Sequence, residues 1–358
     1  MAGPDVYFGG GDMLESENRD HRVALAGRDE ALTEVEDLLR HRRLVTVTGP
    51  GGVGKSALVG ALARRPGLVP GAVVARTDLA PLVDPGLVPH WLARALGTDG
   101  PAGKPQLAAL AQALGDTPAL LVVDTCEHLA KRCTEVLIAL VDACPRLHVL
   151  ATSRAPLRTP GLYPLSPVPL DVAAGLFTEY AGQLDAEETA PDMVRRICAL
   201  LDGLPLAVRI AAGRLAQHSA AEVLDGLIDA EAALDLPATG SGLPGRQRSL
   251  RDSLDWSLRL CTAEEQLLWA RLSVFPGSFE PAQVLEICGD AALPPGPLIA
   301  AFTGLAWQSL IEPQPDEEEG TAFRMPRTTR AYGRQRLRLS GEERELLTRF
   351  LTWTLRAS

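Results

Sequence analysis

The segment Gly49-Pro50-Gly51-Gly52-Val53-Gly54-Lys55-Ser56 constrains this chain more than any other. It satisfies the pattern GxxxxGK[ST] at every fixed position, follows the β-branched run Leu44-Val45-Thr46-Val47-Thr48 and opens a helical stretch over 57–64. Strand, glycine-rich loop and helix in that order make a phosphate-binding loop. Glycines let successive backbone N–H groups turn toward one centre, forming a nest for anionic oxygens. The N-terminus of the following helix adds partial positive charge. Lys55 is placed to reach the β- and γ-phosphates, and the Ser56 hydroxyl to bind Mg²⁺. The chain has only three lysines (Lys55, Lys104, Lys131), and one of them falls on the required position. Gly49, Gly51, Gly52, Val53, Gly54, Lys55, Ser56 and Ala57 are therefore the candidate contacts to a nucleoside tri- or diphosphate.

Strands and helices alternate around that loop. Upstream, Ala26-Gly27-Arg28-Asp29-Glu30 leads into an amphipathic helix with Leu32, Val35, Leu38 and Leu39 at helical spacing. Downstream, a strand over 72–76 runs on to Asp78, and helical patterns follow over 87–96 and 107–114. The run Ala119-Leu120-Leu121-Val122-Val123 is apolar throughout, as in a strand covered on both faces, and ends in Asp124. A carboxylate there can hold Mg²⁺ through water, beside Ser56. A helix carrying Val136, Leu137, Leu140 and Val141 and a strand over 148–152 complete the pattern. Such alternation calls for an α/β fold, a P-loop parallel sheet flanked by helices, here over 23–170.

Two further residues bear on the chemistry. Arg154 lies just past the strand over 148–152, where the γ-phosphate is expected. A guanidinium there can tell triphosphate from diphosphate, although the residue also reads as a surface arginine. Many P-loop ATPases carry a second acid directly after the strand-end Asp, and here that position is Thr125. Glu127 either positions the hydrolytic water or caps the helix starting near His128. Lys55, Asp124, Glu127 and Arg154 form the candidate catalytic set, and fast turnover is not expected of it.

The balance of 35 Lys and Arg against 45 Asp and Glu gives a formal charge of −10, which argues against a broad nucleic-acid surface. The six cysteines show no CxxC pair or metal-finger spacing and read as buried free thiols. No basic segment precedes an apolar core at the start, and no run of about 18 uncharged apolar residues occurs. A reduced, cytoplasmic protein without membrane contact is expected.

Residues 1–22 are Gly-, Asp- and Glu-rich without periodicity and read as a disordered leader. Residues 171–236 read as a helical domain and 237–245, rich in Gly, Pro and Ser, as a linker. Over 246–340, helices followed by a β-hairpin suggest a winged-helix domain. Its wing tip, Asp316-Glu317-Glu318-Glu319, would repel phosphates, and the helix over 298–309 has no Lys or Arg, so a lid rather than a DNA reader is expected. Arg327 and Arg330 either face the nucleotide from that lid or start a solvated helix. Residues 341–358 read as an amphipathic helical tail with Leu346, Leu347, Phe350, Leu351 and Thr354 on one face, the possible start of a repeat array or a docking element for another chain.

Six segments occur in an order that resembles one known family. They are Gly27-Arg28-Asp29-Glu30, the P-loop, Leu121-Val122-Val123-Asp124-Thr125-Cys126-Glu127-His128-Leu129, Ala151-Thr152-Ser153-Arg154, Gly203-Leu204-Pro205-Leu206-Ala207 and Ser249-Leu250-Arg251-Asp252-Ser253-Leu254-Asp255-Trp256-Ser257. Together, over about 23–340, they resemble the NB-ARC-type module of STAND-class NTPases, most of all those of bacterial LuxR-type and SARP-type transcriptional regulators. The resemblance implies an ATP/ADP switch with Mg²⁺, in which ADP holds a closed resting form and ATP favours an open one. It places Arg28 near the adenine or ribose and brings Pro205 to the nucleotide from the helical domain. Such relatives often carry Asn where this chain has Thr125. They usually add a DNA-binding domain and long helical repeats, so that DNA is reached through domains outside these, and protein partners or self-association through helical regions. The alternative reading is a stand-alone ATPase whose turnover is itself the function.

Overall fold

The computed structural model describes residues 25–97, 107–183, 189–238, 245–314 and 322–357. The leader, most of the linker, Lys104 and the acidic wing tip lie outside them. The first part runs α1 (Asp29–His41), β1 (Leu44–Thr48), α2 (Lys55–Ala63), β2 (Val73–Asp78), α3 (Val88–Ala95), α4 (Leu107–Leu114), β3 (Ala119–Asp124), α5 (Ala130–Ala143), β4 (Leu147–Ser153) and β5 (Gly161–Pro164). The strands form one parallel sheet of five in the order β2-β3-β4-β1-β5.

Side chains alternate across a strand, so a run that is apolar at every position supplies two cores at once. In β3, Leu120 and Val122 join Val45, Val47, Leu58 and Leu62 on the α1–α2 face. Leu121 and Val123 join Val149, Leu92, Leu137 and Leu140 on the α3–α5 face. Each such side chain contributes about 1.5–3 kcal/mol by leaving water. The strand order has a functional consequence: β4 lies between the P-loop strand and the strand ending in Asp124, so Thr152 and Arg154 emerge between Lys55 and Asp124. Edge strand β5 is not legible in the sequence, because Gly161-Leu162-Tyr163-Pro164 has turn residues at both ends, which only an edge tolerates.

The helical part comprises α6 (Leu170–Gly182), α7 (Pro191–Ala199), α8 (Pro205–Gly213), α9 (Ala220–Ile228) and α10 (Ala230–Leu234). Then follow α11 (Leu250–Leu260), α12 (Ala263–Leu272), β6 (Ser278–Phe279), α13 (Pro281–Cys288), α14 (Pro295–Trp307), β7 (Glu312–Gln314), β8 (Ala322–Arg324), α15 (Arg327–Ser340) and α16 (Glu343–Ala357). Strands β6, β8 and β7 pair antiparallel in that spatial order, which with α12, α13 and α14 makes a winged helix. One continuous apolar cluster joins the two parts, from Phe177 and Ile210 to Trp269, Phe302 and Tyr332.

Two expectations change here. Arg327 donates to the carbonyls of Leu227 (3.0 Å) and Ile228, and Arg330 to those of Phe275 and Pro276, so both tie α15 to its neighbours instead of facing the P-loop. In α16, Leu346 is buried and Leu347, Phe350 and Trp353 pack on the winged-helix core, whereas Leu351 is 58% exposed. The covered stripe therefore runs through Trp353, and Leu351, about 100° further round from Phe350, faces outward.

All six cysteines are buried free thiols. Among the described residues no helix is long and apolar enough to cross a membrane.

Candidate functional site

Backbone conformation shapes the loop after β1. Gly52 has φ +81°, and a Cβ there would meet Leu206 Cβ at 2.7 Å. The two segments touch because Leu206, in the first turn of α8, donates its N–H to the Gly52 carbonyl at 3.1 Å. Pro205, which is buried, starts that helix at a position where its missing N–H costs nothing. A Cβ on Gly51 would meet Ser253 Oγ at 2.5 Å and Arg154 Nη1 at 2.6 Å. The helical part thus closes on one side of the P-loop and α11 on the other. Gly54 precedes α2 in a left-handed conformation, at φ 104°.

Lys55 Nζ donates to the carbonyls of Gly49 (2.7 Å) and Pro50 (2.9 Å), bridging the loop's entrance. Burial foremost, then the charge of Arg154, pushes its pKa down to about 8. The sign of the pH dependence follows. Phosphate binding needs the ammonium form, and a bound phosphate raises the pKa again. Nucleotide affinity is expected to be constant below pH ~8 and to fall by up to about tenfold per unit above it. Titration calorimetry between pH 7 and 9.5 checks this, and a flat affinity would contradict it.

Ser56 Oγ donates to Asp124 Oδ1 at 2.8 Å, and the Thr152 hydroxyl donates to the same oxygen. Arg76 stands 3.9 Å from Asp124 Oδ2. A hydroxyl and a carboxylate side by side are hard oxygen donors, the type Mg²⁺ takes alongside phosphate and water. Among the described residues no group of three or more His, Cys, Asp and Glu makes a protein-only metal cage.

Arg154 is buried against α11. Its Nη1 donates to the Ser253 carbonyl (2.7 Å) and to Ser257 Oγ (2.6 Å), and its Nε stands 3.4 Å from Glu127 Oε1. Burial pushes its pKa down to about 10, and Glu127 opposes that shift. The same Glu127 oxygen accepts from Trp256 Nε1 at 3.1 Å. Glu127 is therefore held by Trp256 of α11 and by Arg154. Arg28 is also buried, and burial lowers its pKa. It donates to the carbonyls of Val53 and Ser166, each at 2.8 Å, and so braces the P-loop from behind.

Arg246 and Asp202 escaped the sequence reading, and Thr125 entered it only as a departure from the usual acid or Asn. Thr125 adopts φ +61°, a left-handed conformation costly for a β-branched residue and easier for Asn. Its hydroxyl accepts from Arg246 Nη2 at 3.0 Å. Asp202, also left-handed at φ +52°, places its carboxylate on the N-terminus of α15, accepting from the N–H groups of Arg327 and Thr328 at 2.9 Å each. Its local context, Leu-Asp-Gly-Leu-Pro, gives no signal of that role. A cleft lies between the three parts, lined by Gly51, Arg154, Asp202, Ser257 and Thr328 among others.

A P-loop on a sheet of this order, with a hydroxyl–carboxylate pair at its end, defines a P-loop NTPase. Residues 14–159 match the family model Novel STAND NTPase 1, and 260–338 match a winged helix-turn-helix domain. The uncharacterized protein Rv0894 of Mycobacterium tuberculosis is 31% identical over 355 residues, covering 94% of this chain and 87% of its own length. Rv0890c of the same organism, named as a candidate HTH-type transcriptional regulator, is 36% identical over 314 residues, covering 85% of this chain. The chain spans only 35% of that regulator's length. Among solved structures, the Walker-type ATPase PABY2304 of Pyrococcus abyssi superposes with a TM-score of 0.57 at 16% identity, covering 86% of this chain and 95% of that one. The Aeropyrum pernix ORC2 protein, solved as ADPNP–ADP complexes, gives 0.53 at 14%, covering 93% and 95%. These two likenesses concern the fold alone. The chain belongs to the STAND NTPases, as a module with an appended winged helix-turn-helix domain.

Proposed function

We propose that this module is the ATP/ADP switch of a signal-transducing transcriptional regulator, with slow Mg²⁺-dependent ATP hydrolysis resetting it. The observation that carries the reading is the position of Arg154, which lies against Gly51 of the P-loop and is bonded to Ser253 and Ser257 of α11. With ADP bound, the P-loop N–H groups and Lys55 hold the β-phosphate while Arg154 keeps its α11 partners. A γ-phosphate offers Arg154 a stronger, charge-assisted acceptor than a carbonyl and a hydroxyl. Arg154 then leaves α11, Glu127 loses a partner, and the closed arrangement loosens. Ser56 and Asp124 would hold Mg²⁺, which would supply neutralisation of phosphate charge there. Glu127, once free of Trp256, orients water for attack on the γ-phosphorus.

The winged-helix domain serves in this reading as a lid and a protein contact. DNA would be reached through other domains of the full regulator. Helix α14, in the position of a recognition helix, carries neither Lys nor Arg and exposes Ile299 and Trp307. Phosphate contact by such a face would lack the cations that release counterions.

Asp124→Asn tests the site directly. ADP affinity is expected within about threefold of wild type, while Mg²⁺-dependent ATP affinity drops at least tenfold. Equal loss of both nucleotides in calorimetry would refute the role given to Asp124.

A further inference from the structure

Helix α14 has two unlike sides and no ionisable residue on either. Leu298, Ala301, Phe302 and Leu305 are buried in the winged-helix core and hold the helix in place. On the outward side, Ile299 and Trp307 are 54% and 59% exposed, with Ala300 and Thr303 exposed between them. Spacings of three and four residues put these side chains on one stripe, about 12 Å long at 1.5 Å per residue. Folding makes no use of that stripe. An aliphatic side chain and an indole at its ends, with small residues between, leave a shallow apolar groove.

The surroundings of the stripe are acidic. Over 260–314 the sequence holds six Asp and Glu against one Arg, with neither Lys nor His, and four more carboxylates follow at 316–319. That one cation, Arg271, is buried and bonded to Glu342, Asp290 and the Cys288 carbonyl, so it adds no surface charge. The Glu265 carboxylate lies directly on α14: a Cβ on Gly304 would clash with it, and its Oε2 accepts from Gln308 Nε2 at 3.0 Å. Glu264, the residue before it, is exposed. Neighbouring elements also bring cations to this domain. Arg324 faces Glu312 at 3.7 Å, Arg349 donates to the Gly289 carbonyl at 3.2 Å, and Arg259 is exposed at the end of α11. The first two are engaged within the fold, and Arg259 is a single charge against the acidic excess.

We propose that the outer stripe of α14 docks a helix of another protein, one with an apolar stripe flanked by Lys or Arg. Apolar anchors spaced three and four residues apart are what one helix offers another, and the small residues between them let the two backbones approach. Cations beside the partner's stripe meet Glu264 and Glu265, which sets the orientation and speeds the encounter. A nucleic-acid duplex would bring phosphates against the same carboxylates. A second copy of this chain fits poorly, because its arginine-rich helix α15 spends Arg327 and Arg330 on carbonyls, Arg334 on Glu343 and Arg338 on Glu231. The inference extends the protein-contact role given to the winged helix above, and it does not depend on nucleotide binding.

The probes are two labelled helical peptides about five turns long, with Leu at heptad positions a and d and either Lys or Glu at e and g. Fluorescence anisotropy measures their binding to the full chain without nucleotide, so the outcome is separate from that of the nucleotide reading. Wild type is expected to bind the Lys peptide at least about tenfold more tightly than the Glu peptide. Trp307→Ala is expected to weaken Lys-peptide binding at least about tenfold, and Ile299→Ser about threefold or more. Glu264→Lys is expected to weaken it about threefold, an effect that shrinks in high salt while that of Trp307→Ala persists. All three positions are exposed, so the variants should melt as wild type does; should one not fold, the other two decide. The proposal fails if Trp307→Ala and Ile299→Ser leave the affinity unchanged, since the peptide is then held by net charge alone. Equal binding of the two peptides, or no binding of either, also overturns it. So does a wild-type dimer in analytical ultracentrifugation that Trp307→Ala makes monomeric, or duplex DNA binding that Trp307→Ala abolishes.

Discussion

Lys55→Ala is expected to abolish nucleotide binding and, with it, any stabilisation by added ADP or ATP. A ligand that binds only the folded state stabilises it by RT ln(1 + [L]/Kd), about 2.7 kcal/mol at a hundredfold excess over Kd. For wild type in the presence of ADP that corresponds to a rise of several degrees in melting temperature. The variant should melt at the same temperature with and without nucleotide. Its unliganded stability should change little, because the carbonyls of Gly49 and Pro50 lose only one donor between them. A persistent shift in differential scanning fluorimetry would mean that the nucleotide, if bound, sits elsewhere.

Arg154→Ala is expected to act on both stability and switching. The guanidinium is buried, with Glu127, Ser253 and Ser257 around it. Removing one member of a buried ion pair leaves the other charge uncompensated, at a cost of about 3–5 kcal/mol. Glu127 would retain Trp256 as donor, which points to the lower end of that range. Denaturant midpoints measure the loss. The switching effect is separate: without the sensor, the ratio of ATP to ADP affinity should move toward one. A variant that is destabilised but keeps the wild-type ratio would make Arg154 a structural tie and nothing more.

The architecture was largely legible because its signals are local. An apolar run such as Ala119–Asp124 identifies a doubly covered strand, and Gly49 to Ser56 fixes a loop between a strand and a helix. The winged helix was legible from helices followed by a hairpin. What escaped had no local signal. Strand β6 has two residues, and β5 owes its existence to the neighbouring β1. The link from Arg154 to Ser253 spans 99 residues, and that from Arg246 to Thr125 spans 121, so only the assembled fold brings them together. Asp202 illustrates the same limit. Its sequence context, Leu-Asp-Gly-Leu-Pro, reads as a helix–helix corner, while its carboxylate caps a helix 125 residues away. Arg327 and Arg330 show the converse, since positive charges near a candidate lid suggest phosphate contact and are in fact used on backbone carbonyls.

The central claim, that this module holds a nucleotide as a state and hardly turns it over, is tested most directly on freshly purified protein. The protein is denatured, its supernatant is resolved by anion exchange, and steady-state ATP turnover is measured on the same sample. The expected result is near-stoichiometric ADP with turnover well below about 1 s⁻¹, the low end of working enzymes. An empty site with turnover above that rate would contradict the switch and make catalysis itself the function.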